Sequence, residues 1–260
     1  MISDKDRERM AKIMGSYKED ISTANILLLG EEGSGKTYML QTARLPLYID
    51  SFDPGGTKTI KDFIFSSGSV VNSAWEDDKP KKAHVFKEWE KQFLQMHQDN
   101  FFANVGTYVI DSFSMFQITL MNEIASRYKR TDGVLERMDW QIISNSIRDL
   151  FLLLFALPCD VIVTGHLSSE KDEVSGKFNN KMATTPSLQS LLPRLFDEVW
   201  VLITENGSKG ISRKILTCND GRYKARTRIG SNKFNTYEDP DIMKMLIKAG
   251  LSKDHKERLI

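Results

Sequence analysis

The residues best suited to chemistry in this sequence form a glycine-rich segment that ends in a lysine and a threonine. Residues 30–37 read Gly-Glu-Glu-Gly-Ser-Gly-Lys-Thr and fit the pattern G-x-x-x-x-G-K-[ST], between an aliphatic run and a helical pattern. The glycines let the backbone curl so that successive N–H groups face phosphate oxygens, and the start of the helix adds the positive end of its dipole. The segment predicts a bound mononucleotide triphosphate.

Within this phosphate loop, each polar side chain has a distinct expected task. Lys36 is expected to reach the β- and γ-phosphates, and the Thr37 hydroxyl to bind Mg²⁺. The cofactors predicted from the loop are therefore ATP and Mg²⁺. The residues expected to contact the nucleotide are Gly30, Glu32, Gly33, Ser34, Gly35, Lys36, Thr37 and Tyr38.

An acidic residue follows a second aliphatic run and completes the expected magnesium site. Asp111 comes directly after the run Tyr108–Ile110. Such an acid at the end of a neighbouring buried strand holds the metal of a phosphate loop, here through the water shell of the ion. The alternative is that Asp111 only caps the helix that follows.

Hydrolysis also needs a group that orients or deprotonates the attacking water. Asp53 is the preferred candidate and Asp50 the second, since both follow the strand-like run Leu47–Ile49. Either could instead cap the turn of residues 54–56, which reads Pro-Gly-Gly.

His166 follows a fourth aliphatic run, in the order Thr164, Gly165, His166. A polar residue at this strand tip would face the γ-phosphate and could report hydrolysis to the segment after it. The alternative is a histidine with a purely structural role.

These side chains need a scaffold of buried strands and intervening helices. Strand-like runs are Asn25–Leu29, Leu47–Ile49, Tyr108–Ile110, Val161–Val163 and Val199–Ile203, and helical patterns are Lys36–Arg44, Val85–His97, Phe113–Lys129 and Trp140–Ala156. This alternation predicts an α/β fold of three layers around a mainly parallel sheet. A turn signal at residues 219–221 predicts an appended C-terminal antiparallel hairpin, and the polar segment Ser66–Lys82 predicts a surface loop.

The same patterns suggest a division of the chain. Residues 1–20 form a charged amphipathic helical leader, residues 21–235 an ATPase core and residues 236–260 a helical tail. The leader is either a solvated helix or a docking element for a neighbouring subunit.

Composition excludes several classes of protein. The 36 basic residues nearly balance the 35 acidic ones, so a net charge of +1 gives no overall field that would attract nucleic acid or a membrane. The two cysteines cannot build a disulfide scaffold, and the longest apolar run, Leu150–Pro158, is too short to span a bilayer. We expect a cytoplasmic protein without a membrane partner.

Four features in one order resemble the RecA-core ATPases, and among these the phage Sak-type proteins of single-strand annealing and recombination. They are the phosphate loop, residues 109–112, residues 164–166 and residues 224–230. The resemblance implies a RecA-like P-loop NTPase with ATP between the subunits of a ring or filament and single-stranded DNA near its axis. It departs at Phe52, where RecA has glutamate, so that an offset alignment assigns the acid to Asp53, and at His166, where RecA has glutamine.

The resemblance also implies basic residues that act on the nucleotide of a neighbour. Arg226 and Arg228 match the basic positions of the related RadA segment and become candidate trans-acting fingers. The alternative is a basic strand that faces solvent or DNA phosphates. They belong to a local basic region that could bind phosphates of ATP, of DNA or of both, comprising Lys209, Arg213, Lys214, Arg222, Lys224, Arg226, Arg228 and Lys233.

A long polar segment, Leu167–Pro186, is the candidate DNA-binding loop. Its net charge cancels, but an aromatic ring beside asparagines could stack on bases and bond to them. The candidate contacts are Lys171, Lys177, Phe178, Asn179 and Lys181. The alternative is an ordinary surface loop.

The sequence therefore predicts a Mg·ATP-dependent ATPase that acts on single-stranded DNA in phage-type recombination or annealing. Its expected partners are further copies of the chain and, in addition, a single-strand DNA-binding protein, in the cytoplasm of the host cell. The alternatives are a helicase or translocase motor, a small-molecule kinase, and a nucleotide-dependent scaffold that hydrolyses ATP poorly.

Overall fold

A ten-stranded sheet with helices on both faces forms the molecule. The structure is a computed structural model, and it describes residues 3–14, 22–79, 81–171, 178–207 and 210–260. The strands are β1 Asn25–Gly30, β2 Leu47–Ser51, β3 Val70–Asn72, β4 Thr107–Asp111, β5 Asp160–Lys171, β6 Phe178–Met182, β7 Glu198–Gly207, β8 Gly210–Leu216, β9 Arg226–Thr227 and β10 Tyr237–Glu238. The α-helices are α1 Asp4–Met14, α2 Lys36–Met39, α3 Lys61–Ser67, α4 Val85–Gln98, α5 Phe113–Arg127, α6 Arg137–Leu154, α7 Pro186–Leu195 and α8 Ile242–Ala249.

The sheet is parallel at its centre and antiparallel at one side. Its order is β10-β8-β7-β1-β5-β4-β2-β3, and the six strands from β7 to β3 are mutually parallel. Each aliphatic run of the sequence lies in one of these strands, as expected for strands that are covered on both faces. The predicted three-layer α/β fold with appended antiparallel strands is confirmed.

Side chains of each central strand alternate between two hydrophobic cores, because successive residues of a strand point to opposite faces. In β1, Leu27 and Leu29 join the larger core, which α4, α5, α6 and α7 cover. Ile26 and Leu28 join the smaller core, to which α2, α3 and α8 contribute buried side chains. The two cores pack against opposite faces of the sheet and so hold in place the edge at which the parallel strands end.

The appended hairpin turns at a different place from the predicted one. β7 pairs with β8, and the hairpin joins Gly207 to Gly210. Residues 219–221 do not join paired strands; they lead from β8 towards β9, which pairs with the beginning of β7. The prediction was wrong because residues 198–207 continue as a strand well beyond the aliphatic run.

Two predicted loops contain regular structure. The segment Ser66–Lys82 holds β3 and a 3₁₀ helix whose Trp75 is buried. The segment Leu167–Pro186 begins as an antiparallel hairpin in which β5 pairs with β6, and residues 172–177 between them lie outside the described residues.

The first helix has no buried residue. Met10, Ile13 and Met14 of α1 are exposed, and the rest of the predicted leader, residues 15–20, lies outside the described residues. Within the described ranges, no helix is both long and apolar enough to cross a bilayer.

Candidate nucleotide-binding site

The phosphate loop joins β1 to α2 with its backbone curled and partly unpaired. Gly33 and Gly35 have φ angles of 71° and 101°, which glycine adopts without strain. The amide N–H groups of Glu32, Gly33 and Gly35 have no acceptor among the described residues, and the buried hydroxyl of Ser34 has no hydrogen-bond partner. Unpaired donors around one concavity are what an anion such as a triphosphate requires.

Lys36 is buried at the base of this loop. Its Nζ donates to the carbonyl oxygens of Gly30 and Glu31, each at 3.0 Å. Burial lowers the pKa of Lys36, and the negative charges of Asp111, Asp53 and Glu32 partly oppose that shift. A desolvated ammonium group beside unpaired N–H groups fits the predicted counter-charge for phosphate.

Thr37 and Asp111 meet as the expected metal-binding pair. The Thr37 hydroxyl donates to Asp111 Oδ2 at 2.8 Å, and the hydroxyl of Thr164 donates to the other carboxylate oxygen. Burial raises the pKa of Asp111, while these two hydrogen bonds oppose the rise. A hydroxyl and a carboxylate oxygen at the phosphate loop are the donor set that Mg²⁺ takes in phosphate-loop proteins, so these residues fit the ion.

A type II turn carries Asp53 towards the same cavity. Gly56 N donates to the Asp53 carbonyl at 2.9 Å, and Gly55 has the positive φ of 70° that this turn needs. Glu76 fixes the turn, because its carboxylate accepts from Ser51 Oγ at 2.6 Å and from Gly55 N at 2.8 Å. Glu76 is a positioning residue that sequence reasoning missed.

Asp53 and His166 lie within hydrogen-bond distance of each other. Asp53 Oδ1 accepts from Ser112 Oγ at 2.8 Å, and Asp53 Oδ2 lies 3.3 Å from His166 Nε2. Burial raises the pKa of Asp53, but the hydrogen bonds of His166 and Ser112 and the charges of His166 and Lys36 together hold it below its ordinary value. The structure thus places an ionised carboxylate next to the phosphate loop.

Asp50, the second candidate base, lies away from the cavity. Trp75 Nε1 and Trp89 Nε1 each donate to it at 2.8 Å, and the Tyr108 hydroxyl donates at 2.5 Å. Burial raises the pKa of Asp50, and these hydrogen bonds oppose the rise. With both oxygens engaged by core side chains, Asp50 anchors α4 and the 3₁₀ helix to the sheet.

One cavity of about 500 Å³ brings most of the predicted site together. Among the residues that line it are Gly33, Gly35, Lys36, Thr37, Tyr38, Asp53, Asp111 and His166. Gly30 lies beside His166 in the register of β1 and β5, Ser34 lies between two lining glycines, and Glu32 is exposed at the tip of the loop.

Arg226 and Arg228 do not reach this cavity within one chain. β9 pairs with Glu198 and Val199 at the start of β7, whereas the phosphate loop follows the end of the parallel neighbour β1. Arg226 donates to the carbonyls of Pro193 and Phe196, and Arg228 to that of Arg194. Both guanidinium groups therefore bond to the end of α7.

The predicted DNA contacts that the structure describes lie on the hairpin of β5 and β6. Phe178 is 55% exposed, and Lys181 pairs with Glu170 at 2.6 Å. Lys171 and Asn179 lie at the same end of the hairpin, and Lys177 lies outside the described residues.

Comparison with known proteins identifies the family. A family model described as an AAA domain, AAA_24, matches residues 22–229. No curated protein matches the chain.

Two solved structures are similar to this chain at low sequence identity. A KaiC-like protein from the hyperthermophilic archaeon Pyrococcus horikoshii OT3 is 15% identical, with a TM-score of 0.42 and coverage of 74% of this chain and 77% of that chain. The flagellar accessory protein FlaH from Methanocaldococcus jannaschii is 13% identical, with a TM-score of 0.49 and coverage of 89% of each chain.

The family match contains the phosphate loop, Asp53, Asp111 and His166, the same residues that surround the cavity. The chain belongs to the AAA_24 family of AAA domains, and with its phosphate loop it is a P-loop ATPase.

Proposed function

We propose that this protein hydrolyses Mg·ATP and couples hydrolysis to work on single-stranded DNA, in strand annealing or recombination of the phage type. The observation that carries the proposal is the course of β5. This strand presents Thr164 and His166 at the nucleotide cavity and then continues to Lys171 in the hairpin that exposes Phe178. One rigid strand thereby joins the expected γ-phosphate position to a candidate base-stacking surface.

The proposed chemistry assigns one task to each residue of the cavity. The loop amides and Lys36 bind the phosphates, and Asp53 accepts a proton from the attacking water. His166 orients the Asp53 carboxylate and is placed to respond when the γ-phosphate leaves. When bound at Thr37 and Asp111, Mg²⁺ would neutralise charge that develops on the phosphates.

The DNA part of the proposal depends on an exposed ring. An aromatic side chain stacks on any base, and such stacking contributes about 1–3 kcal/mol per base. Phe178 is exposed although it lies in a strand, and the asparagine beside it, Asn179, can bond to base edges.

A ring or filament of identical chains would complete the site. Arg226 and Arg228 lie at the sheet edge opposite the phosphate loop of their own chain, so only a second copy could present them to a nucleotide. In that assembly the two guanidinium groups would break or keep in part their hydrogen bonds to the carbonyl groups at the end of α7. They would neutralise phosphate charge as trans-acting fingers.

The test is ATP hydrolysis with and without a homopolymeric single-stranded DNA. We expect stimulation by DNA in the wild type, loss of stimulation with unchanged basal hydrolysis in Phe178→Ala, and normal stimulation in Phe65→Ala, a matched exposed phenylalanine on α3. Hydrolysis indifferent to DNA would contradict the DNA role and leave the P-loop ATPase in place. A strand-annealing assay run beside a strand-displacement assay separates annealing from helicase action.

A further inference from the structure

We propose that Arg213 of the same chain binds the α- and β-phosphates of the nucleotide, so that the hairpin of β7 and β8 acts as a cis clamp on the phosphate loop. This inference rests on the proposed nucleotide site. It adds a residue from outside the predicted site, and it supplies a basic group without a second subunit.

The side chain of Arg213 already touches the loop. Arg213 lies on β8, and its Nε donates to the carbonyl oxygen of Ser34 at 2.8 Å. Arg213 also lines the cavity of about 500 Å³ that Lys36, Thr37 and Asp111 line. The guanidinium group therefore forms part of the wall of the cavity.

A glycine makes this approach possible. A Cβ atom placed on Gly35 would lie 3.2 Å from Arg213 Nε, and Gly35 itself has a φ of 101°. A contact of this length is tighter than an ordinary one, so a side chain at position 35 would make the guanidinium group shift by a few tenths of an ångström. Gly35 thus has two roles. It allows the backbone of the loop to curl, and it leaves room for the side chain of Arg213.

The two Nη atoms of Arg213 have no partner in the described part of the chain. Among the described residues no carboxylate lies within ion-pair distance of its guanidinium group, and the Nη atoms make no hydrogen bond. The neighbouring Lys214, by contrast, pairs with Glu205 at 2.9 Å. A planar group with free donors beside a phosphate-binding backbone suits a phosphate oxygen pair.

The position of Arg213 indicates which phosphates it would contact. The loop backbone that it touches, at Ser34 and Gly35, belongs to the part that cradles the α- and β-phosphates, whereas Lys36 reaches further to the β- and γ-phosphates. Asp53 and His166 lie towards the γ-phosphate. Arg213 should therefore bind substrate and product alike, which changes affinity more than turnover.

The experiment measures binding of Mg·ADP and of inorganic pyrophosphate by calorimetry, together with KM and kcat for ATP. We expect Arg213→Ala to weaken binding of both ligands about 10- to 100-fold and to raise KM with little change in kcat. Arg213→Lys, which keeps the charge, should recover part of the affinity. Arg213→Gln, which keeps a donor and loses the charge, should not.

The matched control is Arg148→Ala, an exposed arginine of α6 that pairs with Asp149. Binding by Arg213→Ala equal to that of Arg148→Ala would overturn the inference. So would full affinity in Arg213→Gln, since Arg213 would then only hold the loop, or weakened ADP binding with unchanged pyrophosphate binding, since the contact would then be with the base or ribose. If the wild type binds neither ligand, the nucleotide site itself is wrong; if Lys36→Ala alone abolishes binding, only the role of Arg213 is wrong.

Discussion

Two aspartates three residues apart show how environment separates residues of one type. Asp50 is fully enclosed by two tryptophans and a tyrosine, and its pKa is raised by burial. Asp53 lies beyond the end of the same strand, faces the cavity and has a pKa below its ordinary value. Of the two carboxylates, Asp53 is the one that lines the cavity, and its pKa is lowered where that of Asp50 is raised.

Asp53→Asn should therefore separate binding from turnover. We expect kcat for ATP to fall about 10²- to 10⁴-fold because the general base is lost, while Mg·ATP affinity stays within about threefold. Asp62→Asn, an exposed carboxylate on α3, is the control and should keep wild-type kcat. Equal turnover in Asp53→Asn would move the base elsewhere.

Among single residues, the sequence predicts the site residues that a short motif or a neighbouring strand marks. Lys36, Thr37 and Asp111 follow from a motif and an adjacent strand, and the structure brings all three together. The choice between Asp50 and Asp53 needs Trp75 and Trp89, which are 25 and 39 residues from Asp50. Arg213 is 179 residues from Ser34, so no local pattern could reveal their contact.

At the scale of the elements, β7 holds residues 226–230, here called the basic segment, in place. Its buried Glu198 accepts hydrogen bonds from Thr227 Oγ1 and from the backbone N–H groups of Arg228, Ile229 and Gly230, at 2.7–3.2 Å. The motif that resembles the RadA segment thus wraps a carboxylate of its own chain.

Glu198→Ala should destabilise the fold, because it removes the carboxylate that accepts these hydrogen bonds. The backbone N–H of Ile229 and the indole N–H of Trp200 would lose their acceptor, while the N–H groups of Arg228 and Gly230 would keep the Asp197 carbonyl and the Thr227 hydroxyl. We therefore expect the free energy of unfolding to fall by about 2–4 kcal/mol, measured by urea denaturation. Glu205→Ala, on the exposed part of β7, should change it by less than about 0.5 kcal/mol. A loss in Glu198→Ala no larger than in Glu205→Ala would refute this account of the segment.

β5 begins with a carboxyl group whose ionisation opposes folding. Burial raises the pKa of Asp160 to about 6, and the nearby Arg44, 3.3 Å away, opposes the rise only in part. Since the folded-state pKa lies above the unfolded value, Asp160 stabilises the fold fully below about pH 4, and this stabilisation is lost as the pH rises to about 6.

Asp160→Asn should remove that pH dependence. Across this interval the wild type should lose about 3 kcal/mol of unfolding free energy relative to the variant. Urea denaturation of both proteins at several pH values measures the difference, in which contributions of other titrating groups cancel. A difference that stays constant with pH would show that Asp160 keeps an ordinary pKa.

Elements were predicted best where apolar runs are continuous. The runs in β1, β2, β4, β5 and β7 needed no tertiary information, because burial on both faces makes them aliphatic throughout. The polar strand β6 was not predicted, because it derives its structure from pairing with β5. A strand was predicted before the turn signal, where β8 ends at Leu216, but its partner is β7 and not a strand after residues 219–221.

At the scale of the whole molecule, the cavity and the basic segment lie at opposite ends of the parallel strands. The cavity lies where the parallel strands end, and the basic segment lies where β7 begins. With a net charge near zero, local placement of charge decides where an anion binds.

If a second copy completes the nucleotide site, two inactive variants should complement each other. Lys36→Ala lacks the phosphate counter-charge, and Arg228→Ala lacks the trans-acting finger. A contact in which the Arg228→Ala chain supplies the phosphate loop and the Lys36→Ala chain supplies the arginine therefore contains an intact site. We expect an equimolar mixture to recover about a quarter of wild-type hydrolysis if subunits mix at random in head-to-tail contacts. No recovery at any ratio would restrict Arg228 to its bond with the Arg194 carbonyl.

The central claim is that the loop ending in Lys36 and Thr37 holds a magnesium-bound triphosphate. Calorimetric titration of the wild type, Lys36→Ala and the exposed-lysine control Lys91→Ala with a non-hydrolysable Mg·ATP analogue tests it most directly. The account predicts one site per chain in the wild type and in Lys91→Ala, and none in Lys36→Ala. Absence of binding in the wild type, or unchanged affinity in Lys36→Ala, would contradict it.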